Sequence, residues 1–257
     1  MICLNSSEKT AALLKLLGQA PYIHSVTDLG KKIECSKSGT FKILATLTQC
    51  GLASQTAGHK YTLGPAVYIL GKTYEDHIGL SKMVKPYLTR LRDLTGENST
   101  FTMLVGGKAM LIYRVESLQQ VRVVGAPGQE RPLYAGANGK ILGAYQDEDV
   151  IRKRLMEEPM QPFTERTITS PEALLSEYAK IREQGYAISE GEMNSETMGI
   201  GAPIFDSSGS VWAAISIGAP RMRVDEVKKQ RYIYLIKEIA AEMTRSFTEN
   251  VGTADEI

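Results

Sequence analysis

With 257 residues, 43% of them hydrophobic and 23% charged, the chain has an ordinary globular composition and enough material for about two domains, which excludes a low-complexity or disordered polypeptide. The formal net charge is +1 and no run of about 18 uncharged apolar residues occurs, so a membrane-spanning helix is excluded. The first residues lack the basic, apolar and small-residue pattern of a leader, and a soluble cytoplasmic protein is expected.

Charge is unevenly spread. Residues 1–64 hold seven Lys against three acids, and residues 65–257 hold 23 Lys plus Arg against 26 acids. The first segment is therefore suited to face a polyanion, although an ordinary solvated face produces the same asymmetry.

From Ser6, the residues Ala12, Leu13, Leu16 and Leu17 recur at helical spacing, with Ser6 or Ser7 as N-cap and Gly18 past the end. Pro21 breaks the pattern, and Ser25 is placed to cap a second helix over Val26–Ile33. After Glu34-Cys35, a third helix runs from Ser36 to Leu47 with Phe41, Leu44 and Leu47 on one face and Ser36, Lys37, Thr40 and Thr46 elsewhere. Gly51 ends it. Leu52–Gln55 and Lys60–Leu63 flank the turn Thr56–His59 as a hairpin.

Three helices and a hairpin make a winged helix-turn-helix, and an α-helix such as the third has the diameter to enter the major groove of DNA. A protein-binding winged helix fits the same pattern. Residues 65–80 then form a linker helix with Val67, Leu70 and Tyr74 on a stripe suited to a dimer seam or to burial, and Gly79 marks the boundary.

Residues 81–257 read as an α+β, sensor-like domain with a mainly antiparallel sheet. Helices are expected near Lys82–Leu94, Gly139–Gln146, Asp149–Met156, Glu172–Gln184 and Val224–Glu249. Strands are expected at Ser99–Val105, Ala109–Val115, Val121–Gly125, Ile200–Phe205 and Val211–Ile217.

Catalytic chemistry finds little support. His24, His59 and His77 all lie in the first third, leaving the second domain without a histidine base or ligand. Cys3, Cys35 and Cys50 have no paired spacing, which argues against disulfides and zinc; Cys50 reads as a small buried residue near a helix end. No dinucleotide fingerprint or P-loop occurs. No catalytic residue, metal or cofactor is expected.

Gly136-Ala137-Asn138-Gly139-Lys140 is a glycine-containing loop opening a helix, which directs backbone N–H groups at an anion such as a carboxylate; a plain turn reads equally well. Glu190 and Glu192 are spaced like a carboxylate pair but read as loop residues, with a buried carboxylate there able to bond the loop and hold a pocket closed. The rival to a binding protein is a metabolite-converting enzyme with an appended winged helix and one of these glutamates as base.

Together these motifs resemble the IclR family of transcriptional regulators over essentially the whole chain. Ser36-Lys37-Ser38-Gly39-Thr40-Phe41-Lys42 is similar to the family's recognition helix, Tyr61-Thr62-Leu63-Gly64 to its wing-to-linker signature, and Gly139-Lys140 to its pocket-helix start. The strongest match is Ile181-Arg182-Glu183-Gln184-Gly185-Tyr186-Ala187, followed by Glu190, Glu192, Ala202-Pro203-Ile204-Phe205-Asp206, Gly209 and Ala213–Ile217. Lys42 departs from the Arg of many members, putting a point charge where a bidentate fork stands.

The resemblance implies three parts: a winged helix-turn-helix DNA-binding domain over residues 1–64, a linker helix over 65–80, and a GAF-like effector-binding domain over 81–257. It implies a homodimer or homotetramer that binds double-stranded operator DNA and a small-molecule effector, an organic acid or related carboxylate, to regulate a catabolic operon. DNA contacts carry over to Ser36, Lys37, Ser38, Thr40, Phe41, Lys42, His59 and Lys60. Effector contacts carry over to Val123, Arg131, Ala137, Asn138, Ser189, Thr197, Gly199, Ser216 and Gly218. Ser216 and Asn138 would donate to a carboxylate and Arg131 would supply charge, while Gly199 and Gly218 replace more polar residues and leave space.

Overall fold

The computed structural model describes residues 5–157 and 159–251; Cys3 lies outside them. The chain divides into two compact units, Met1–Leu80 and Ser81–Ile257.

The first unit contains α1 (Ser6–Leu17), α2 (Val26–Lys32), α3 (Lys37–Gln49), β1 (Ala53–Gln55), β2 (Tyr61–Leu63) and α4 (Pro65–Ile78). Leu13, Leu17, Leu29, Leu44, Leu47 and Tyr61 close one core between the helices and the antiparallel hairpin. The expected winged helix-turn-helix is present.

The cap of α1 is Asn5 rather than Ser6 or Ser7. Its side chain accepts from the Glu8 N–H at 3.0 Å while the Glu8 carboxylate accepts from the Asn5 N–H at 2.7 Å, a reciprocal pair no serine further in can make. Ser25 caps α2 as expected, accepting from the Asp28 N–H. Gly64 is confined by contact: a Cβ there would fall 2.1 Å from the Gly51 carbonyl oxygen. Helix α4 buries none of its residues and exposes Tyr68, Ile69, Leu70 and Tyr74.

The second unit contains α5 (Leu80–Thr95), β3 (Asn98–Val105), β4 (Lys108–Val115), β5 (Glu130–Arg131), α6 (Ala137–Ala144), α7 (Glu148–Glu157), α8 (Pro171–Gln184), β6 (Ala187–Glu190), β7 (Thr197–Phe205), β8 (Val211–Pro220) and α9 (Glu226–Val251). Six strands form one sheet in the order β5-β4-β3-β8-β7-β6, every pair antiparallel. The interior strands β7 and β8 are nearly continuously buried, with α6 and α9 packed against them. This is the expected α+β domain.

Three local expectations fail. Val121–Gly125 is not a strand, because side chains take its carbonyls: Asn98 Nδ2 donates to Val123 O at 2.7 Å, Arg223 Nη1 to Val121 O at 2.7 Å, and Arg114 to the Val123 and Gly125 oxygens. Conversely Ala187–Glu190, with Glu190 read as loop, is an edge strand whose Ala187 and Ser189 are buried alternately. Cys50 is exposed rather than buried, since the C-cap of α3 points away from the leucine face.

Helix α6 can lie close to the preceding chain only because of its small residues. A Cβ at Gly139 would sit 2.0 Å from Pro132 O, and one at Gly143 would sit 2.1 Å from Tyr178 Oη. That hydroxyl donates to Leu133 O at 2.9 Å, and burial pushes the phenol up from its ordinary value.

Candidate functional site

Strand register assembles the site in the second unit. Ser189 of β6 pairs with Gly199 of β7, which pairs with Gly218 of β8; two residues along, Gly201 pairs with Ser216, which pairs with Thr100 of β3. Because side chains two apart share a face, these rows form one wall, and α6 begins against it. A Cβ at Gly199 would meet Ala137 Cβ at 3.4 Å, so the glycine keeps the space before α6 open.

The result is a cavity of about 130 Å³. Val123, Arg131, Ala137, Asn138, Ser189, Thr197, Gly199, Ser216 and Gly218, all nine positions carried over from the resemblance, line it together. Thr100, Thr102 and Met193 line it too and were not foreseen. The two threonines alternate on β3 and so share a face, but nothing local in the sequence says which face meets α6.

Hydrogen bonding distinguishes donors that are free from donors that are spent. Asn138 Nδ2 donates to Thr100 Oγ1 at 3.0 Å and to Thr102 Oγ1 at 2.7 Å, so its side chain has no N–H left for a carboxylate, contrary to expectation. Thr100 and Ser216 hydroxyls share a bond of 2.7 Å; with Thr100 donating, the Ser216 proton stays available. No side chain caps α6, leaving the amide hydrogens of its first turn without an intrahelical acceptor. Ser189 is 5% exposed, and no hydrogen bond ties its hydroxyl among the described residues.

Arg131 stands on β5, pairing with Ala109, and reaches the cavity half-buried. No carboxylate pairs with it among the described residues. Burial, and next the guanidinium of Arg114, lower its affinity for a proton from the ordinary arginine value. Arginine nonetheless stays charged, so the cation lacks a counter-ion.

Glu192 is no free base. Its carboxylate accepts from Lys140 Nζ at 2.5 Å and from the Gly136 N–H at 3.0 Å. Lys140 is 1% exposed and also donates to Glu177 Oε1 at 2.8 Å and Ile188 O at 2.5 Å. Thr164 and Thr167 hydroxyls hold the Glu192 backbone oxygen. This buried network ties the start of α6 to the turn after β6 and brackets the cavity.

In the first unit, Ser36 caps α3 by accepting from the Gly39 N–H at 3.1 Å. Ser36, Lys37, Ser38, Phe41 and Lys42 are exposed, as are His59 and Lys60 in the wing turn. Thr40 is not on that surface. It is 0% exposed, its hydroxyl donating to Ser36 O at 3.0 Å, and Gly30 of α2 passes so near that a Cβ there would lie 2.9 Å from Thr40 Oγ1. Phe41 does not share the leucine face: at 53% exposure it points outward, and Thr40 replaces it beside Leu44 and Leu47.

The family model for the IclR helix-turn-helix domain matches residues 6–57, and that for the bacterial transcriptional regulator IclR C-terminal domain matches residues 72–245. The chain belongs to the IclR family. Curated relatives include the HTH-type transcriptional regulator KdgR of Escherichia coli, 31% identical over 240 residues covering 91% of each chain. The regulator BhcR of Paracoccus denitrificans is 28% identical over 86% of this chain and 79% of its own. An IclR regulator structure from a Silicibacter species superposes with a TM-score of 0.88 at 22% identity, covering 95% of this chain and 96% of that one. An IclR homologue from Microbacterium hydrocarbonoxydans, complexed with 4-hydroxybenzoate, has a TM-score of 0.78 at 20% identity, covering 95% and 99%. The protein is thus an IclR-family transcriptional regulator with a C-terminal ligand-binding domain, and not an enzyme. No helix among the described residues is long and apolar enough to cross a membrane.

Proposed function

We propose that this regulator binds operator DNA through the exposed residues of α3 and the wing and is controlled by a small carboxylate held in the cavity of the second unit. The observation that carries the effector class is the cavity's polarity. Its lining holds Arg131 and the open amide end of α6, and no Asp or Glu among the described residues. A carboxylate suits either of them, the helix terminus or the charge. The 4-hydroxybenzoate seen in the Microbacterium homologue is a carboxylate and supports the same reading. A cavity near 130 Å³ is small beside the ~300–1,000 Å³ of drug-sized sites, which favours a metabolite of few carbons. An acid sensed in this way suits control of an operon that consumes it.

Ser36, Lys37, Ser38, Phe41 and Lys42 face the groove, with His59 and Lys60 on the neighbouring backbone; Thr40 serves the core. The exposed apolar residues of α4 support assembly as a homodimer, which a palindromic operator would match. Thermal-shift measurement of the full chain against organic, sugar and aromatic acids tests the effector class, because ligands of the native state raise the melting temperature. Neutral analogues stabilising while acids do not would overturn it. For DNA, Lys37→Ala should lower the slope of log affinity against log salt by about one counterion's worth; an unchanged slope removes Lys37 from the phosphate contacts.

A further inference from the structure

Two groups suited to an anion line the cavity from different elements, so a ligand with two carboxylates can give each its own. At one place are the uncapped amides of α6 with the Ser189 hydroxyl, buried and unpartnered among the described residues. At the other is Arg131, on an edge strand of the sheet.

Three acids of the same unit are engaged elsewhere. Glu130 pairs with Lys108 at 2.9 Å, Glu116 with Arg122 at 3.2 Å and Arg114 at 3.7 Å, and Glu192 with Lys140 at 2.5 Å. The backbone carbonyls that could have neutralised Arg131 are taken as well, since Arg114 holds the oxygens of Val123 and Gly125. Gly125 leaves room for the guanidinium: a Cβ there would sit 2.9 Å from Arg131 Nη2. A second cation is therefore brought into a partly desolvated wall beside Arg114 with no counter-charge among the described residues, an arrangement that an anion from the ligand relieves.

We infer that the effector is a short dicarboxylate, one carboxylate on the α6 amides and Ser189 and the other on the Arg131 guanidinium, with Arg131 the residue that selects two anionic ends over one. The inference rests on the carboxylate reading of this cavity and narrows it. Its length limit comes from the same small volume.

Titration calorimetry on the full chain with matched probes tests it: succinate against butyrate, and glutarate against valerate, each pair differing in one carboxylate. One charge-assisted anchor predicts at least roughly tenfold tighter binding of a diacid than of its partner. Arg131→Gln should bring that ratio to about one, and Arg131→Lys should keep a preference because it retains a cation. Melting temperatures of the unliganded variants show that each is folded. Monoacids binding as tightly as diacids, or a ratio unchanged in Arg131→Gln, would overturn the second anchor while leaving a carboxylate pocket standing. Absence of binding by all four acids would remove both the anchor and the carboxylate reading.

Discussion

Replacing Lys140 with Met probes the buried network that brackets the cavity. The ammonium is 1% exposed and serves three acceptors, and the Glu192 side chain beside it is only 8% exposed. Removing the cation strands the Glu192 carboxylate in the interior, and breaking a buried ion pair from one side costs about 3–5 kcal/mol. Glu177, with 22% of its side chain exposed, can turn toward water and adds little. Adding Glu192→Gln removes the stranded charge while its amide oxygen still accepts from the Gly136 N–H, so the double variant should return to within about 1–2 kcal/mol of the parent. The assay is built into the chain. Its one tryptophan, Trp212, sits on β8 between Phe101 and Phe247 at ring distances of 5.7 and 5.0 Å, so its fluorescence during urea unfolding reports the second unit alone. A loss under about 1 kcal/mol in Lys140→Met, or a double variant no more stable than the single one, would refute the claim that an unpaired buried charge sets the cost.

Gly139→Ala drives a methyl to 2.0 Å from Pro132 O, a backbone atom that cannot swing away, and should cost about 1–3 kcal/mol by the same fluorescence measurement. Gly199→Val places its branches in the space before Ala137 and should abolish stabilisation by carboxylates while the unliganded protein still melts cooperatively; a carboxylate-induced shift of parental size would show that the ligand binds elsewhere. Thr40→Val loses one buried hydrogen bond, about 1 kcal/mol, yet should leave the salt slope of DNA binding as it is in the parent, in contrast to Lys37→Ala. A shallower slope in Thr40→Val would put α3 in a different orientation on DNA.

Much of the fold is legible in local pattern. The leucines of α1 and α3, the Ser25 cap, the wing turn and the strands Ile200–Phe205 and Val211–Ile217 are all signals read within a few residues, and the structure forms them where the pattern places them. Local signals also mislead where a distant partner decides. Val121–Gly125 has strand-like residues, but Asn98, Arg114 and Arg223 take its carbonyls. Ala187–Glu190 is only four residues long, but β7 supplies its pairing. Thr40 sits among serines and lysines that are exposed, but α2 covers it.

The cavity divides along the same line. The glycine-led start of α6 and the missing side chains at Gly199 and Gly218 are properties of single residues, and the resemblance pointed to them by number. That Ser189, Gly199 and Gly218 form one row and Thr100 and Ser216 the next is a matter of register between strands whose paired residues lie up to 120 positions apart, as Asn98 and Gly218 do. The spent donors of Asn138, the anchored Glu192 and the unpaired Arg131 follow from that register, because each depends on which groups arrive as neighbours once the sheet has closed. Sequence by itself determined the elements and the residue types available; tertiary structure decided which polar groups were satisfied and which were left for a ligand, since hydrogen-bond and charge partners are chosen by proximity in space and not by order along the chain.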